Sequence, residues 1–168
     1  MYVDRVDAKI LDIVQRHGRA TLDDLSQATG LSPSGCSRRL RRMEKVGLIQ
    51  RYVALVEPGA LGFPLQAYTL MAVDREDPDT LERFEEAIRS EPHVIHATTV
   101  TGEADFLVRT VARNIADYRE MLRRFTETFP TLRNVTTLFL LEEVKAGYAV
   151  PIGSHDGALE APNPHPDR

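Results

Sequence analysis

Residues 30–49 read GLSPSGCSRRLRRMEKVGLI, and this stretch places four arginines and a lysine inside a 168-residue chain whose formal net charge is -4. Ser32 and Pro33 open a helix there, serine as the residue whose hydroxyl caps the first amides and proline as a first helical residue that needs no N–H partner. At helical spacing Cys36, Leu40, Met43 and Gly47 fall on one side, and Ser34, Arg38, Arg41 and Lys45 on the opposite side. One face packs and the other is free. Cys36 lies on the packing stripe, so it reads as a small buried thiol, and no cationic neighbour on that face would activate it.

Upstream, the spacing of Val6, Ile10, Leu11, Ile13 and Val14 predicts a first helix over 4–17, with Gly18 as its left-handed terminator. Thr21 followed by Asp23 and Asp24 reads as a capped start of a short second helix, which Gly30 ends. Two helices joined by a tight glycine-containing turn form a helix-turn-helix. In such units the second helix of the motif lies in the major groove of DNA, with its N-terminal residues near base edges. Ser34, Gly35, Ser37 and Arg38 hold those positions, arginine being suited to bidentate contact with guanine, while Arg41, Arg42 and Lys45 are placed to neutralise phosphates. Arg39 lies toward the packed edge.

The charge distribution agrees. Residues 1–62 hold ten Lys/Arg against seven Asp/Glu, whereas 63–168 hold eleven against eighteen, so only the first part is suited to a polyanion. The five basic residues within 33–46 exceed what the overall composition would place there. No apolar run approaches a membrane span, and the N-terminus MYVDRVDAKILD is acidic where a secretion signal is basic and then apolar. One cysteine builds no disulfide framework, and a cytoplasmic location is expected.

Beyond the basic helix, LIQRYVALVEPGALG reads as an extended wing and linker over 49–63. The remainder alternates in type: a strand over 64–74, a helix from Pro78 to Pro92, the strands HVIHATTV and ADFLVRTVA split by a turn at Thr101-Gly102-Glu103, a helix from Asn114, and a last strand NVTTLFLLEEV. The order is βαββαβ. The expected fold is therefore α+β, an N-terminal winged helix-turn-helix with its helices over 1–48 and its wing and linker over 49–63, followed by a ferredoxin-like βαββαβ domain over 64–150, whose open sheet face needs cover. The polar, Gly- and Pro-rich stretch 151–168 reads as a disordered tail.

Taken together, GLSPSGCSRRLRRMEKVGLIQRYVALVEPGALG and the later TGEADFLV, inside a βαββαβ domain, resemble the Lrp/AsnC family of feast/famine transcriptional regulators. The resemblance covers residues 4–150. It implies an N-terminal DNA reader, a homodimer formed through the sheets and assembled into a higher oligomer such as an octamer, and an effector, an amino acid or related small molecule, bound near the hairpin. Carried over to this chain, the effector residues would be Thr99, Thr101, Gly102 and Asp105, with Thr136 or Thr137 on the neighbouring strand. Hydroxyls and hairpin amides suit a carboxylate, and Asp105 suits an ammonium. Asp105 could equally fix the hairpin by bonding local amides.

Two other functions are open to a chain of this pattern. Some tetrapyrrole decarboxylases of the sirohaem type resemble the same two-domain architecture, and His93 and His96 would be the local candidates, although their spacing in a strand puts the rings on opposite faces. A partner protein that senses an effector without touching DNA is the third reading. No nucleophile–base pair, phosphate loop or metal-ligand spacing is visible, so no catalytic residue, metal or cofactor is assigned.

Overall fold

The computed structural model describes residues 3–74, 78–145 and 147–152. The chain divides into two compact units, the first built from the residues up to Leu55 together with Lys145 and those after it, the second from Val56–Val144. Residues 145 and 147–150 group with the first unit.

In the first unit, α1 (Arg5–Arg16) starts where the Asp4 carboxylate accepts the amides of Val6 and Asp7 at 2.9 and 2.8 Å. Asp7 returns the favour, accepting the Asp4 amide at 3.3 Å. Such a reciprocal pair satisfies orphan donors at both ends of the first turn. The helix stops at His17, whose amide donates to the Ile13 carbonyl, and the chain then turns through Ala20 N–H to the His17 carbonyl. Gly18 does not take the left-handed conformation expected of it, because that hydrogen-bonded turn ends the helix without one. Next, α2 (Leu22–Thr29) is capped by Thr21 and ended by Gly30 at φ 75°, a conformation that costs a side-chain-bearing residue more. Finally α3 (Pro33–Lys45) begins at Ser32, whose hydroxyl accepts the Gly35 amide at 3.2 Å. Ile10, Leu25, Cys36 and Met43 are fully buried among the three helices. Burying each of the larger three contributes roughly 1.5–3 kcal/mol. Residues 50–57, read as a wing, carry no strand pairing.

In the second unit a short 3-10 turn (Gly59–Leu61) leads into β1 (Leu65–Val73), α4 (Pro78–Ser90), β2 (Val94–Thr99), β3 (Phe106–Ala112), α5 (Ile115–Thr128) and β4 (Leu132–Phe139). The sheet runs β2-β3-β1-β4 with antiparallel neighbours throughout, the ferredoxin-like order. Strand periodicity fixes what each face does. Ala67, Thr69, Met71 and Val73 of β1 point to the helices, where Phe84 packs against Phe106, Phe125 and Phe129 with ring centroids 5.2, 6.1 and 5.0 Å away. The polar members of that face are paired: the Tyr118 hydroxyl lies 2.8 Å from Thr69 Oγ1 and 2.6 Å from Thr137 Oγ1.

The alternate residues, among them Tyr68, Leu70, Thr136 and Leu138, occupy the opposite face. There the Arg109 guanidinium sits 5.7 Å over the Tyr68 ring and donates to Gln66 at 2.9 Å. The last strand ends earlier than the sequence suggested. Ala67 pairs with Phe139, the Leu140 amide closes on the Gln66 carbonyl, and Leu141 to Val144 carry no strand pairing.

Candidate nucleic-acid interface and ligand pocket

The basic helix is presented as its two-faced pattern requires. Cys36 and Met43 are buried, while Ser34, Arg38, Arg41 and Lys45 are exposed along α3 and Ser37 is half-buried. Cys36 Sγ lies 3.5 Å from Thr29 Oγ1, which also donates to the Leu25 carbonyl, so the thiol seals the joint between α2 and α3. Gly35 has a packing role: a Cβ there would come within 3.3 Å of Ser32 Oγ and 3.6 Å of Leu31 Cβ, crowding the cap. The hydroxyl of Ser34 is 3.1 Å from that of Ser32.

Two of the arginines are turned back toward the protein. Asp7 of α1 is fully buried, and its carboxylate accepts from Arg39 Nη1 at 2.8 Å and from Arg42 Nη2. Arg39 Nη1 also donates to Asp4 at 2.6 Å. Burial works to raise the Asp4 carboxyl, but hydrogen bonds from the Asp7 amide and from Arg39, with the Arg39 charge, outweigh it and hold it below the usual carboxylate range. Arg39 is raised in turn, chiefly by its hydrogen bonds to Asp4 and Asp7. A charge with two arginine partners can be buried where a lone one cannot. The arrangement pins the middle of α3 to the start of α1, and leaves Arg38, Arg41 and Lys45 pointing away from it.

Arg42 therefore differs from its neighbours. The sequence groups it with the phosphate-facing residues, but the structure gives it a carboxylate partner while leaving its side chain 47% exposed. Asp4 and Asp7 are the functional residues that the sequence reading missed. The available signal was their three-residue spacing at a helix start, the mark of a capping box.

On the second unit, a cavity of about 330 Å³ opens on the sheet face away from the helices, lined by Leu70 and Ala72 of β1, Val100, Thr101, Glu103 and Ala104 of the hairpin, and Asn134 and Thr136 of β4. It brings together two of the expected effector residues, Thr101 and Thr136. Thr99 and Gly102 are exposed beside it without lining it, Gly102 holding φ 118° in the turn. Asp105 does not line it, and its carboxylate accepts the Val73 amide at 2.8 Å. Its backbone bonds Met71 and Val100, which ties the hairpin to β1. Thr137 faces the helices and hydrogen-bonds Tyr118. The carboxylate that does face the cavity is Glu103.

His93 and His96 are not brought into a shared pocket. The ring of His93 lies 2.7 Å from Glu91, which also accepts from Arg124 at 3.1 Å. Against the upward effect of its own burial, the His93 contacts and the Arg124 charge hold Glu91 low. His96 pairs across the ladder with Arg109, beyond a register shift between Val94 and His96. Among the described residues no group of three or more His, Cys, Asp or Glu could hold a metal ion, and no helix is long and apolar enough to cross a membrane.

A three-helix unit whose third helix is cationic and exposed, and a separate sheet domain with a pocket at its hairpin, define a regulator that pairs a DNA reader with a ligand-binding domain. Comparison bears this out: residues 3–50 match winged helix-turn-helix DNA-binding domains and residues 66–150 match the Lrp/AsnC ligand binding domain. The chain is 36% identical over 143 residues to the leucine-responsive regulatory protein of Haemophilus influenzae, covering 85% of this chain and 86% of that protein. It is 34% identical to the Escherichia coli K12 leucine-responsive regulatory protein, covering 85% and 87%. Among solved structures it resembles a Neisseria meningitidis transcriptional regulator in complex with L-Met, with TM-score 0.83 and 30% identity over 89% of this chain and 96% of that one. An AsnC family transcriptional regulator from Agrobacterium tumefaciens gives TM-score 0.81 and 31% identity, over 89% and 97%. The chain belongs to the Lrp/AsnC family. It is a DNA-binding transcriptional regulator that responds to a small effector.

Proposed function

We propose that the protein reads a pseudo-palindromic operator as a homodimer or higher assembly such as an octamer in the cytoplasm, and that an amino acid in the sheet-face pocket sets its affinity. The observation that carries the reading is the exposed row Ser34, Arg38, Arg41 and Lys45 on a helix whose other side is fully packed. Ser34, Ser37 and Arg38 meet base edges, Gly35 lets the helix start approach closely, and Arg41 and Lys45 meet phosphates. Arg42 is shared between Asp7 and the DNA backbone. Two copies of α3 would address half-sites about one helical turn, ~34 Å, apart.

In the pocket, the Thr101 and Thr136 hydroxyls and the hairpin amides receive the effector's carboxylate, Glu103 its ammonium, and Leu70 and Ala72 its side chain. Thr99 and Gly102 shape the rim, while Asp105 and Thr137 hold the scaffold. The L-Met complex of the Neisseria meningitidis relative supports an amino acid as the class of effector. The open sheet face, with Leu138 54% exposed, supports dimerisation through the sheets. The protein then acts by binding, with no catalytic residue, metal or cofactor.

The test is fluorescence anisotropy on DNA from the protein's own upstream region, with single amino acids titrated in and the mass of the assembly measured by light scattering. A shift of affinity by one or a few amino acids, with a mass above that of a monomer, is the expected result. A monomer whose DNA affinity no amino acid moves would overturn the reading.

A further inference from the structure

The chain crosses between its two units twice. The first crossing falls at residues 55–56 and the second at 144–145, where the chain leaves the sheet domain and rejoins the first unit. The returning segment is held by Gln15 of α1: Gln15 Nε2 donates to the Val150 carbonyl at 2.8 Å, and the Val150 amide donates to Gln15 Oε1 at 2.9 Å. A single side-chain amide thus supplies the donor and the acceptor that a neighbouring strand would offer one residue. Around this pair, Leu11, Val14, Leu48, Ile49 and Ile152 help line an apolar groove of about 420 Å³. Pro151 biases Val150 toward extended backbone, which lowers the entropy lost on seating.

The other end of the same segment is β4, which gives Asn134 and Thr136 to the sheet-face pocket. From Phe139 to Lys145 the chain runs between these two anchors, with Leu141 and Val144 almost wholly exposed. None of Ser34, Arg38, Arg41 or Lys45 lines the groove, so residues 150–152 are seated away from the exposed face of α3.

We propose that residues 147–152 are a clasp that gives the reader a second covalent tie, through β4, to the strand lining the effector pocket. Its seat bridges α1 and residues 48–52, the segment by which the reader leaves α3, so the clasp fixes the exit of the reader as well as its first helix. Effector binding at Asn134 and Thr136 then changes the constraint on α1 without blocking DNA. This second half rests on the effector reading above; the clasp itself does not.

The experiment is hydrogen exchange on the full chain, wild type beside Gln15→Leu and Val150→Pro, without ligand and with L-methionine as probe. Gln15→Leu removes both hydrogen bonds at similar size, and Val150→Pro removes the clasp's donor while leaving α1 untouched. Without ligand, the wild-type Val150 amide should exchange about tenfold slower than an open chain, and the Leu48 and Ile49 amides should exchange faster in both variants. An unprotected Val150, or unchanged exchange at Leu48 and Ile49, overturns the clasp. With L-methionine, the wild type should change exchange at 134–136 and at 48–49, and the variants at 134–136 alone. A response at 48–49 that survives in the variants overturns the coupling. No response at 134–136 in any chain overturns the effector reading and the coupling with it, the ligand-free comparison still deciding the clasp.

Discussion

Arg39 of the basic helix α3 donates to Asp7, a fully buried carboxylate on the first helix, at 2.8 Å. Asp7 therefore sets where α3 sits, and Arg42 completes its shell. Asp7→Ala should destabilise the reader by about 3 kcal/mol, the lower end of what losing one member of a buried ion pair costs, because Arg39 keeps Asp4 and Arg42 reaches water. Urea unfolding of the two chains measures it. A change under about 0.5 kcal/mol, the level of an ordinary surface substitution, would show that the pair does not hold the helices.

Acid should weaken the same junction. The Asp4 carboxyl is held below its ordinary value of 3.8 in the folded chain. A lowered folded value adds stability that is present above the unfolded pKa and lost as pH falls through the folded one. Asp4→Asn keeps a capping side chain but not the charge, so its stability should fall less steeply on acidification below about pH 4 than the wild type's. Parallel curves for the two chains would remove the Asp4–Arg39 contact from the account.

The arginines of α3 should separate by kind. Arg38→Ala should cost about 1–3 kcal/mol on the best sequence and relax preference at one base position. Arg41→Ala should weaken all sequences alike and reduce the salt slope by about one unit, with stability unchanged. Arg42→Ala should do the same to the slope and also destabilise the reader, since Asp7 loses a partner. Equal stability of the Arg41 and Arg42 variants in urea would contradict that double role.

Neighbouring threonines of β4 should also part. Thr136→Val removes a hydroxyl from the pocket and should reduce the response to an amino acid while leaving the fold unchanged. Thr137→Val breaks the hydrogen bond to Tyr118 and should cost about 1 kcal/mol with the response intact. Titrating amino acids into the DNA-bound variants, alongside thermal melts, distinguishes them.

How far the sequence carries follows from which signals are local. Caps and turn residues are local, so Thr21, Gly30, Ser32-Pro33, Gly102 and Asn114 mark their elements within a residue or two of where the structure has them. The alternation along β1 and the Phe and Leu spacing of α4 and α5 are local as well, and together they give βαββαβ. Long-range facts leave no such mark. Nothing near Asp7 reveals that Arg39 and Arg42, more than thirty residues on, will neutralise it. The orientation of Asp105 depends on how the β2–β3 hairpin meets β1, and that of Thr136 and Thr137 on the register of β4 against β1, where a one-residue slip would exchange the two. The seat of residues 147–152 is set by a glutamine at position 15.

In the proposed function the exposed face of α3 reads base sequence. Its most direct test is anisotropy of wild type and Arg38→Ala on the protein's own upstream DNA and on a shuffled copy, at two salt concentrations. The wild type should bind both with strong salt dependence and prefer the real sequence, and Arg38→Ala should lose most of the preference while keeping the salt dependence. Equal binding of the two DNAs by the wild type, or an undiminished preference in Arg38→Ala, would contradict it.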